Sequence, residues 1–327
     1  MNRRAFVTGL LGALVATPHA VAAEQAGKVW RIAIVLAGTS QTLGHIAKAI
    51  EVSLANLGYV AGQKITLQHR FFPPDPEGAE QVLRAIVSDF DLLVVGGTVG
   101  AVAAKKVTST LPTVFLSVGD PVRVGLVSTL AHPGGNMTGV TFEAATETYG
   151  KRLQLLKDIV PSLTVAGILR MPSDANIVVA MESLERVAPK LGITLHPFDI
   201  RTVDDLSTAF ARMTPSGVQG VLVVAGTLTY THGRRIAELA AAHHLPSAHA
   251  FRETAVAGGL VSLGPDLLAM APQAASYIDK IVRGAKPGDL PVEQPTRYEL
   301  VLNLKTAKAL GLTIPPSLLL RADQVIE

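Results

Sequence analysis

The chain of 327 residues contains no cysteine. This absence excludes disulfide bonds, thiolate metal sites and a cysteine nucleophile. It also excludes a lipid-modified cysteine as the tether of an exported protein. Charged residues are scarce at 17%, whereas hydrophobic residues reach 48%, so a disordered chain is excluded as well. We therefore expect a folded protein long enough for two domains.

Aromatic residues make up only 5% of the sequence, and no basic run contains interleaved aromatic residues. The formal net charge is +3, but residues 1–23 carry two arginines and no acid. Without this segment the net charge would be +1, which gives no electrostatic footprint for nucleic acid. We expect no nucleic-acid partner.

Residues 1–23 have the features of a secretory signal peptide. Arg3 and Arg4 precede the apolar run "AFVTGLLGALVA", and "AVAA" offers small residues for cleavage after Ala22 or Ala23. The start "RRAF" is also similar to a twin-arginine signal, so the export route stays open, and an N-terminal membrane anchor is the alternative. No later run of 18 or more apolar residues occurs. The mature chain is expected to be soluble in the periplasm.

From residue 29 the sequence alternates β-branched apolar runs with longer runs of helical periodicity. The predicted strands are 31–38, 65–72, 91–97, 112–118, 138–142, 164–171, 194–200, 220–226, 246–251 and 258–264. The predicted helices are 42–58, 77–89, 101–110, 147–160, 175–191, 203–213, 230–244 and 266–284.

Strands that are apolar on both faces and separated by helices indicate parallel sheets covered on both sides. The pattern predicts an α/β fold of two doubly wound parallel-sheet domains with about five strands each. The tail from Asp289 is too short for a third domain. Its strand "YELVLNL" and a short helix are expected to return across the two domains.

Ligands of open parallel sheets bind beyond the carboxyl ends of the strands. In this sequence the loops at those ends are small and polar, at residues 38–42, 96–101, 117–121, 170–176, 225–230 and 251–254. The candidate ligand-binding residues in these loops are Thr39, Ser40, Gln41, Thr98, Ser117, Asp120, Asn176, Thr227, Tyr230 and Arg252.

Several candidates have an ordinary structural alternative. Thr98 is expected to cap a helix that begins near Gly100 and whose free N–H groups can hold an anion. Arg252 can clamp a carboxylate or form a surface pair, and Asp120 can meet an amine or cap a turn. Asn176 can contact a ligand or cap its helix, and Tyr230 can stack on a ring or cover its helix.

Catalytic and metal-binding patterns are weak in this sequence. Ser117 lies in "FLSVG", which lacks the G-x-S-x-G pattern of a nucleophile elbow. The histidines at 232, 243, 244 and 249 show no H-E-x-x-H spacing. No cofactor motif is complete either, so we expect neither an enzyme nor a bound metal or cofactor.

Two passages carry a family resemblance. The first is "SVGDPVRVGLVSTLAHPGGNMTGVT", and the second is "DLPVEQPTRYELVLNLKTAKALGLTIPPSLLLRADQVIE". Together they resemble the ABC-transporter substrate-binding protein family, in particular its members related to tryptophan and tyrosine binders. The resemblance extends from about Arg31 to the C-terminus.

The resemblance implies a periplasmic-binding-protein type I fold, in which two α/β domains joined by three crossing segments close on a ligand. It implies one domain of residues 29–143 plus 265–296 and another of 144–264 plus 297–327. The crossings are expected near 140–146, 262–267 and 295–300. The chain departs from the usual pattern at "RMPSDAN", where the family often has an Asn-Pro pair, and at "AGTLTY", where it often has an Asp-Pro start. The ligand of the aromatic-binding members is therefore not carried over.

The hypothesis favoured by the sequence is a monomeric solute receptor of an ABC importer. It would bind a small amino-acid-like or carboxylate ligand between the domains and deliver it to a permease of the inner membrane. The alternatives are a ligand-sensing subunit of a signalling system and, less favoured, an exported α/β enzyme.

Overall fold

The computed structural model describes residues 28–60, 62–143 and 147–327, so the signal-peptide prediction lies outside the described residues. These residues form a five-stranded and a seven-stranded sheet with helices packed against both. The strands are β1 (Trp30–Ala37), β2 (Ile65–Phe72), β3 (Leu92–Gly96), β4 (Thr113–Val118), β5 (Met137–Thr141), β6 (Val165–Arg170), β7 (Thr194–Asp199), β8 (Gly220–Val223), β9 (Ser247–His249), β10 (Val261–Gly264), β11 (Glu299–Asn303) and β12 (Gln324–Ile326).

The α-helices follow the strands in alternation through most of the chain. They are α1 (Ser40–Asn56), α2 (Pro76–Ile86), α3 (Gly97–Val107), α4 (Glu147–Ile159), α5 (Ile177–Val187), α6 (Asp205–Met213), α7 (Thr227–Thr231), α8 (Gly233–Ala242), α9 (Arg252–Val256), α10 (Ala271–Val282), α11 (Leu304–Ala309) and α12 (Pro316–Leu319). None of the helices in these described ranges is both long enough and apolar enough to cross a membrane.

The first two helices begin at side-chain caps that the sequence encodes locally. Thr39 and Thr42 form a capping box at the start of α1, with each backbone N–H bonded to the other threonine's hydroxyl. Asp75 accepts a hydrogen bond from the N–H of Gly78 at 2.7 Å, and Pro76 occupies the first position of α2. Thr39 is therefore engaged as a helix cap.

The first sheet has the strand order β2-β1-β3-β4-β5, and all its neighbouring strands are parallel. Its central strands are buried along their length because helices cover both faces. Helix α10 packs against α1, β4 and β5 and contributes residues such as Tyr277 to the same core. The first domain thus includes a helix far along the chain.

The second sheet has the order β12-β11-β10-β9-β8-β6-β7. Its neighbours are parallel except for β10 and β11, which are antiparallel, with Val261 opposite Leu302. The expectation of about five strands per domain is corrected here, because β11 and β12 of the tail join this sheet. Leu300 and Leu302 are buried in the core of the second domain, which explains why the tail pairs there.

Two predicted helices differ from the structure in ways that affect the residues near the strand ends. Helix α3 begins at Gly97, after the N-cap Gly96, so Thr98 lies inside the helix and does not cap it. The helix predicted at 230–244 is two helices, α7 and α8, which meet at His232. Hydroxyls in α7 bond to backbone carbonyls: Thr229 to Val224 at 2.8 Å and Thr231 to Thr227 at 3.0 Å. Such bonds favour short helices over a continuous one.

The chain passes between the two cores three times, as the resemblance implies: between β5 and α4, between β10 and α10, and between Val292 and β11. Arg152 of α4 connects two of these passages. Its Nη2 donates to Glu143 Oε1 at 2.8 Å in the first, and its Nε donates to the carbonyl of Leu263, near the second, at 2.7 Å. Tyr298, in the third, donates its hydroxyl proton to the carbonyl of Phe142 at 3.4 Å. The three passages are therefore joined by polar contacts.

Candidate functional site

A cavity lies between the two sheets, beyond the carboxyl ends of their strands. On the first-sheet side it is lined by residues 36–37, 96–98, 116–117 and 119, together with Leu43 and Ile46 of α1. On the second-sheet side it is lined by residues 174, 176, 225–227, 230–231 and 251. Phe142, Leu267 and Met270, on the connecting passages, complete the wall. Ligands of open α/β sheets usually bind at this location.

The cavity is mostly apolar, which corrects the expectation of a small polar lining. It leaves about 80 Å³ for the centres of water-sized molecules, and one water needs only about 10–15 Å³ on this measure. Phe251 is central to an aromatic group, with its ring 5.0 Å from that of Phe142 and 4.7 Å from that of Tyr230 in an edge-on contact. Aromatic rings with their edges and faces offset in this way suit a planar or branched apolar group.

Asp174 places a carboxylate in this apolar wall. It follows β6 and is only 4% exposed, and its Oδ1 accepts the N–H of Asn176 at 3.0 Å. Burial raises the pKa of Asp174 to about 6, although the backbone N–H groups of Asn176 and Thr227 act to lower it. The carboxyl is therefore mostly ionised near neutral pH, and it is the one Asp or Glu among the described lining residues. A cation in the cavity would compensate the cost of burying it.

Two further buried polar atoms in the lining have no hydrogen-bond partner in the described parts of the chain. They are Oδ1 of Asn176 and Oγ1 of Thr227. The amide of Asn176 is held from behind, because its Nδ2 donates to the hydroxyl of Tyr149 at 2.6 Å. Asn176 makes no capping bond to α5. Buried polar atoms are normally satisfied, so these two point to a ligand or to water.

The first-sheet wall presents backbone groups. Helix α3 starts at the cavity, where the first N–H groups of a helix have no partner within it. Thr98 Oγ1 accepts the N–H of Gly119 at 3.2 Å and so fixes the loop after β4. Ser117 lies at a register shift in β4 and has φ 58°, a left-handed conformation that is uncommon for a residue other than glycine. Strained backbone of this kind is frequent at ligand sites.

Five of the ten predicted site residues line this cavity. These are Thr98, Ser117, Asn176, Thr227 and Tyr230. They come from the ends of β3, β4, β6 and β8, and the fold brings them together because those ends face one cleft.

The other five predicted residues lie outside the cavity lining. Ser40 and Gln41 are exposed in the first turn of α1, and Thr39 caps that helix. Oδ1 of Asp120 accepts the N–H groups of Val122 and Arg123 at 3.1 and 3.0 Å. Asp120 therefore has the alternative role of a turn cap.

Arg252 is the fifth of these outlying residues. Its guanidinium donates to Glu299 of β11 at 2.9 Å and to Gln324 of the edge strand β12 at 3.0 Å. Arg252 therefore has the alternative role of forming a surface pair. Its partners come from the C-terminal tail, which the sequence of the loop around Arg252 does not indicate.

Sequence reasoning missed Asp174, Phe142 and Phe251 as lining residues. Asp174 and Phe251 both lie in loops that the post-strand rule selects, so the signal was present. Phe142 ends the strand prediction before the first passage, and only the packing of the two domains turns it toward the cavity.

The two domains touch around the cavity. A Cβ at Gly119 would lie 2.0 Å from Oδ1 of Asn176, and one at Gly97 would lie 2.9 Å from Oγ1 of Thr227. Beside the cavity, Arg123 of the loop after β4 binds Glu182 of α5 in a bidentate pair, with N–O distances of 2.5 and 2.8 Å. The domains are thus in a closed arrangement.

The Arg123–Glu182 pair gives a testable expectation about closure. Both side chains are about half exposed, so the pair is worth little by itself, but it exists only when the domains meet. We expect Arg123→Ala and Glu182→Ala each to weaken ligand binding by about twofold to fivefold, with less effect at high salt. Titration calorimetry at low and high salt measures this.

The charge-reversed double variant, Arg123→Glu with Glu182→Arg, should recover most of the loss. Lys48→Ala is the control, because it breaks an exposed pair with Glu51 within one helix. Equal affinities for all four variants and the natural protein would show that this pair has no part in closure.

Histidines do not form a metal centre in the described residues. His249 is buried with Nε2 2.9 Å from Oγ of Ser247, and burial lowers its pKa to about 3. Across residues 28–60, 62–143 and 147–327 no three histidine, aspartate or glutamate side chains are grouped so that they could hold a metal ion.

Comparison with known proteins agrees with this architecture. The model of the family described as "ABC transporter substrate binding protein" matches residues 15–326. The chain belongs to this family. Substrate-binding proteins of this kind bind solutes, and their two α/β domains form the type I periplasmic-binding-protein fold that the two sheets show here.

Individual relatives are moderately similar to this substrate-binding protein. It is 25% identical over 281 residues to a protein named "Tyrosine-binding protein" from Clostridioides difficile strain R20291, across 84% of this chain and 80% of the relative. A Streptococcus pneumonia structure described as an ABC domain in complex with L-Trp is 26% identical, with a TM-score of 0.84, over 91% of this chain and all of that chain. A conserved domain protein from Vibrio cholerae O1 biovar eltor is 28% identical, with the same TM-score and coverage.

Proposed function

We propose that this protein binds an amino acid with an apolar side chain in the cavity between its domains and delivers it to an ABC permease. The observation that carries the proposal is the buried carboxylate of Asp174 in a mostly apolar, aromatic-lined cavity at the edge of both sheets. Such a cavity favours a ligand that is cationic at one point and apolar elsewhere.

The polar ends of the cavity suit the two charged groups of an amino acid. The carboxylate of Asp174 and Oδ1 of Asn176 are both acceptors, so this side would take an ammonium group. On the other side the first turn of α3 offers unpaired N–H groups and the positive end of a helix dipole, which suit a carboxylate. The side chain of the ligand would then lie against Phe142, Tyr230 and Phe251.

The relatives support the same class of ligand. One is named a tyrosine-binding protein, and another was solved with L-Trp. The aromatic group around Phe251 is compatible with a ring, but the identities of 25% and 26% do not transfer one particular amino acid to this chain. We therefore propose the class of apolar and aromatic amino acids.

The remaining parts of the proposal concern location and organisation. The protein is exported by its N-terminal signal, acts in the periplasm as a monomer and is not an enzyme. Its domains comprise 29–143 plus 265–296 and 144–264 plus 297–327, with the three passages acting as the hinge. The core clusters support this division, because residues 270–292 pack with the first sheet and residues 300–318 with the second. Ligand binding would shift the balance of open and closed forms toward the closed one.

The proposal is tested by ligand binding and by blocking closure. The purified protein should show a rise in melting temperature with L-tryptophan, L-tyrosine or L-leucine and should produce no product from them. Gly119→Ala should abolish that rise without changing the melting temperature of the ligand-free protein by more than about 2 °C. The reason is that the added Cβ would collide with Asn176, which cannot turn away without losing its bond to Tyr149.

The matched control is Gly135→Ala. Gly135 lies in the same stretch of the first domain, is exposed, and has only Lys105 Nζ within 4 Å of its added Cβ, at 3.9 Å. It should behave like the natural protein. The proposal is wrong if no amino acid alters the melting temperature of the natural protein, or if Gly119→Ala responds normally.

A further inference from the structure

The hydroxyl of Thr227 lies at the contact between the two domains. Thr227 is the first residue of α7 in the second domain, and its Oγ1 would lie 2.9 Å from a Cβ added to Gly97, which begins α3 in the first domain. Other atoms of Thr227 line the cavity, but Oγ1 is closed to water-sized molecules on the cavity side as well as outside. A ligand in the cavity of this closed form therefore does not reach the oxygen.

The hydroxyl uses neither its donor nor its acceptor capacity. It can donate one hydrogen bond and accept two, yet Oγ1 has no partner among the described residues. Gly97 has no side chain that could provide one, and its φ of 76° is unfavourable for residues other than glycine. A contact between the oxygen and the glycine backbone is much weaker than a hydrogen bond to water.

This contact depends on closure, because Thr227 and Gly97 belong to different domains. When the domains separate, the cleft fills with solvent and water reaches the hydroxyl. Closing removes that water and gives the hydroxyl no hydrogen bond in return. Burial of an unsatisfied hydroxyl is unfavourable, so this contact opposes closure.

Apolar contacts between the domains act in the opposite direction. Tyr230 and Leu267 pack against the cores of both domains, and the burial of their apolar surface favours closure whether or not a ligand is present. A receptor with only such contacts would close while it is empty. The unsatisfied hydroxyl of Thr227 is a cost that bound ligand can offset and that the empty protein must bear.

We propose that the Thr227 hydroxyl regulates the site by holding the empty protein open. Ligand binding supplies the free energy that closes the domains in spite of this cost, so the closed form is mainly the loaded form. Delivery of that form to a permease rests on the proposed function, whereas the effect on the two domains does not. This role differs from the expectation from sequence, in which Thr227 binds the ligand.

Thr227→Val tests the proposal, because valine has nearly the same shape and lacks the hydroxyl. Small-angle X-ray scattering of the full chain without ligand should give a smaller radius of gyration for the variant than for the natural protein. Calorimetry should show that the variant binds L-tryptophan, L-tyrosine or L-leucine at least about fivefold more tightly. Loss of a hydrogen bond to the ligand would weaken binding instead.

Ser183→Ala is the matched control. Ser183 also has a buried Oγ without a partner in the described residues, but it lies on α5, which packs against α4 within the second domain. Because its surroundings belong to one domain, the variant should keep the natural radius of gyration and bind within about twofold of the natural affinity, even if its melting temperature changes.

The outcomes separate this inference from the proposed function. Weaker binding by Thr227→Val, an unchanged radius of gyration, or an equal effect of Ser183→Ala overturns the inference. It is also overturned if the ligand-free natural protein already has the radius of gyration of the closed form. If no amino acid binds the natural protein, the proposed function fails, while the scattering of Thr227→Val still decides the role of the hydroxyl.

Discussion

Asp174→Asn is expected to make the ligand-free protein more stable above pH 6 and to reduce amino-acid binding by at least about thirtyfold. The pKa of Asp174 is raised to about 6 in the folded protein by burial, against about 3.9 for an unfolded aspartate. The protonated carboxyl therefore contributes fully to the free energy of unfolding below pH 4. This contribution, up to about 3 kcal/mol, is lost as the pH rises through 6. The neutral asparagine carries no such cost.

Stability and affinity respond in opposite directions in this prediction. Urea unfolding of the ligand-free protein should give a higher free energy of unfolding for the variant at pH 8 and nearly equal values at pH 4. Affinity for an amino acid should fall in the natural protein by about tenfold per pH unit below 6, because the incoming ammonium must displace a proton from Asp174. The variant should bind weakly, with no such slope.

Asp120→Asn is the matched control, because Asp120 also follows a strand and also accepts two backbone N–H groups, but lies outside the cavity. Its ligand affinity should stay within about threefold of the natural value. The role given to Asp174 is contradicted if both variants lose the same affinity, or if Asp174→Asn keeps the pH dependence below 6.

Arg152→Met is expected to destabilise the protein by about 3–5 kcal/mol, because it leaves Glu143 buried without its charged partner. Arg152 and Glu143 are 1% and 6% exposed in their side chains, and burial raises the pKa of Glu143 even with the arginine in place. Loss of the bond to the carbonyl of Leu263 adds to the cost. Urea denaturation at neutral pH measures the change.

The double variant Glu143→Gln with Arg152→Met removes both charges, so it should be more stable than Arg152→Met alone. Arg170→Met is the comparison, because it removes a partner of Asp199 that is half exposed, and it should cost no more than about 1 kcal/mol. If Arg152→Met and Arg170→Met cost the same, the buried cluster at the hinge does not stabilise the closed protein as described.

The sequence predicted the alternation of strands and helices well, for a local reason. The runs 65–72 and 112–118 are rich in apolar, β-branched and aromatic residues, and the strands β2 and β4 formed there within a residue. Parallel strands bring their carboxyl ends to one edge, which is why a simple rule placed Thr98, Ser117, Asn176, Thr227 and Tyr230 in one cavity.

The same rule failed where two loops look alike in sequence. Asp120 and Asp174 each follow a strand by a few residues, yet only Asp174 lines the cavity, whereas Asp120 caps a turn that presents Arg123 to Glu182. Arg252 donates hydrogen bonds to Glu299 and Gln324, which lie 47 and 72 residues further along the chain. Partners at such separations leave no periodic signal.

The sequence by itself determined the fold class, the family and the edge of the sheets where the cavity lies, because these depend on local periodicity and on contiguous motifs. Only the tertiary structure decided that the cavity is apolar and aromatic, that its charge comes from Asp174, and that Tyr149 and Arg152 support it from behind. These features depend on how the two domains and three passages meet, and that packing joins residues more than a hundred positions apart.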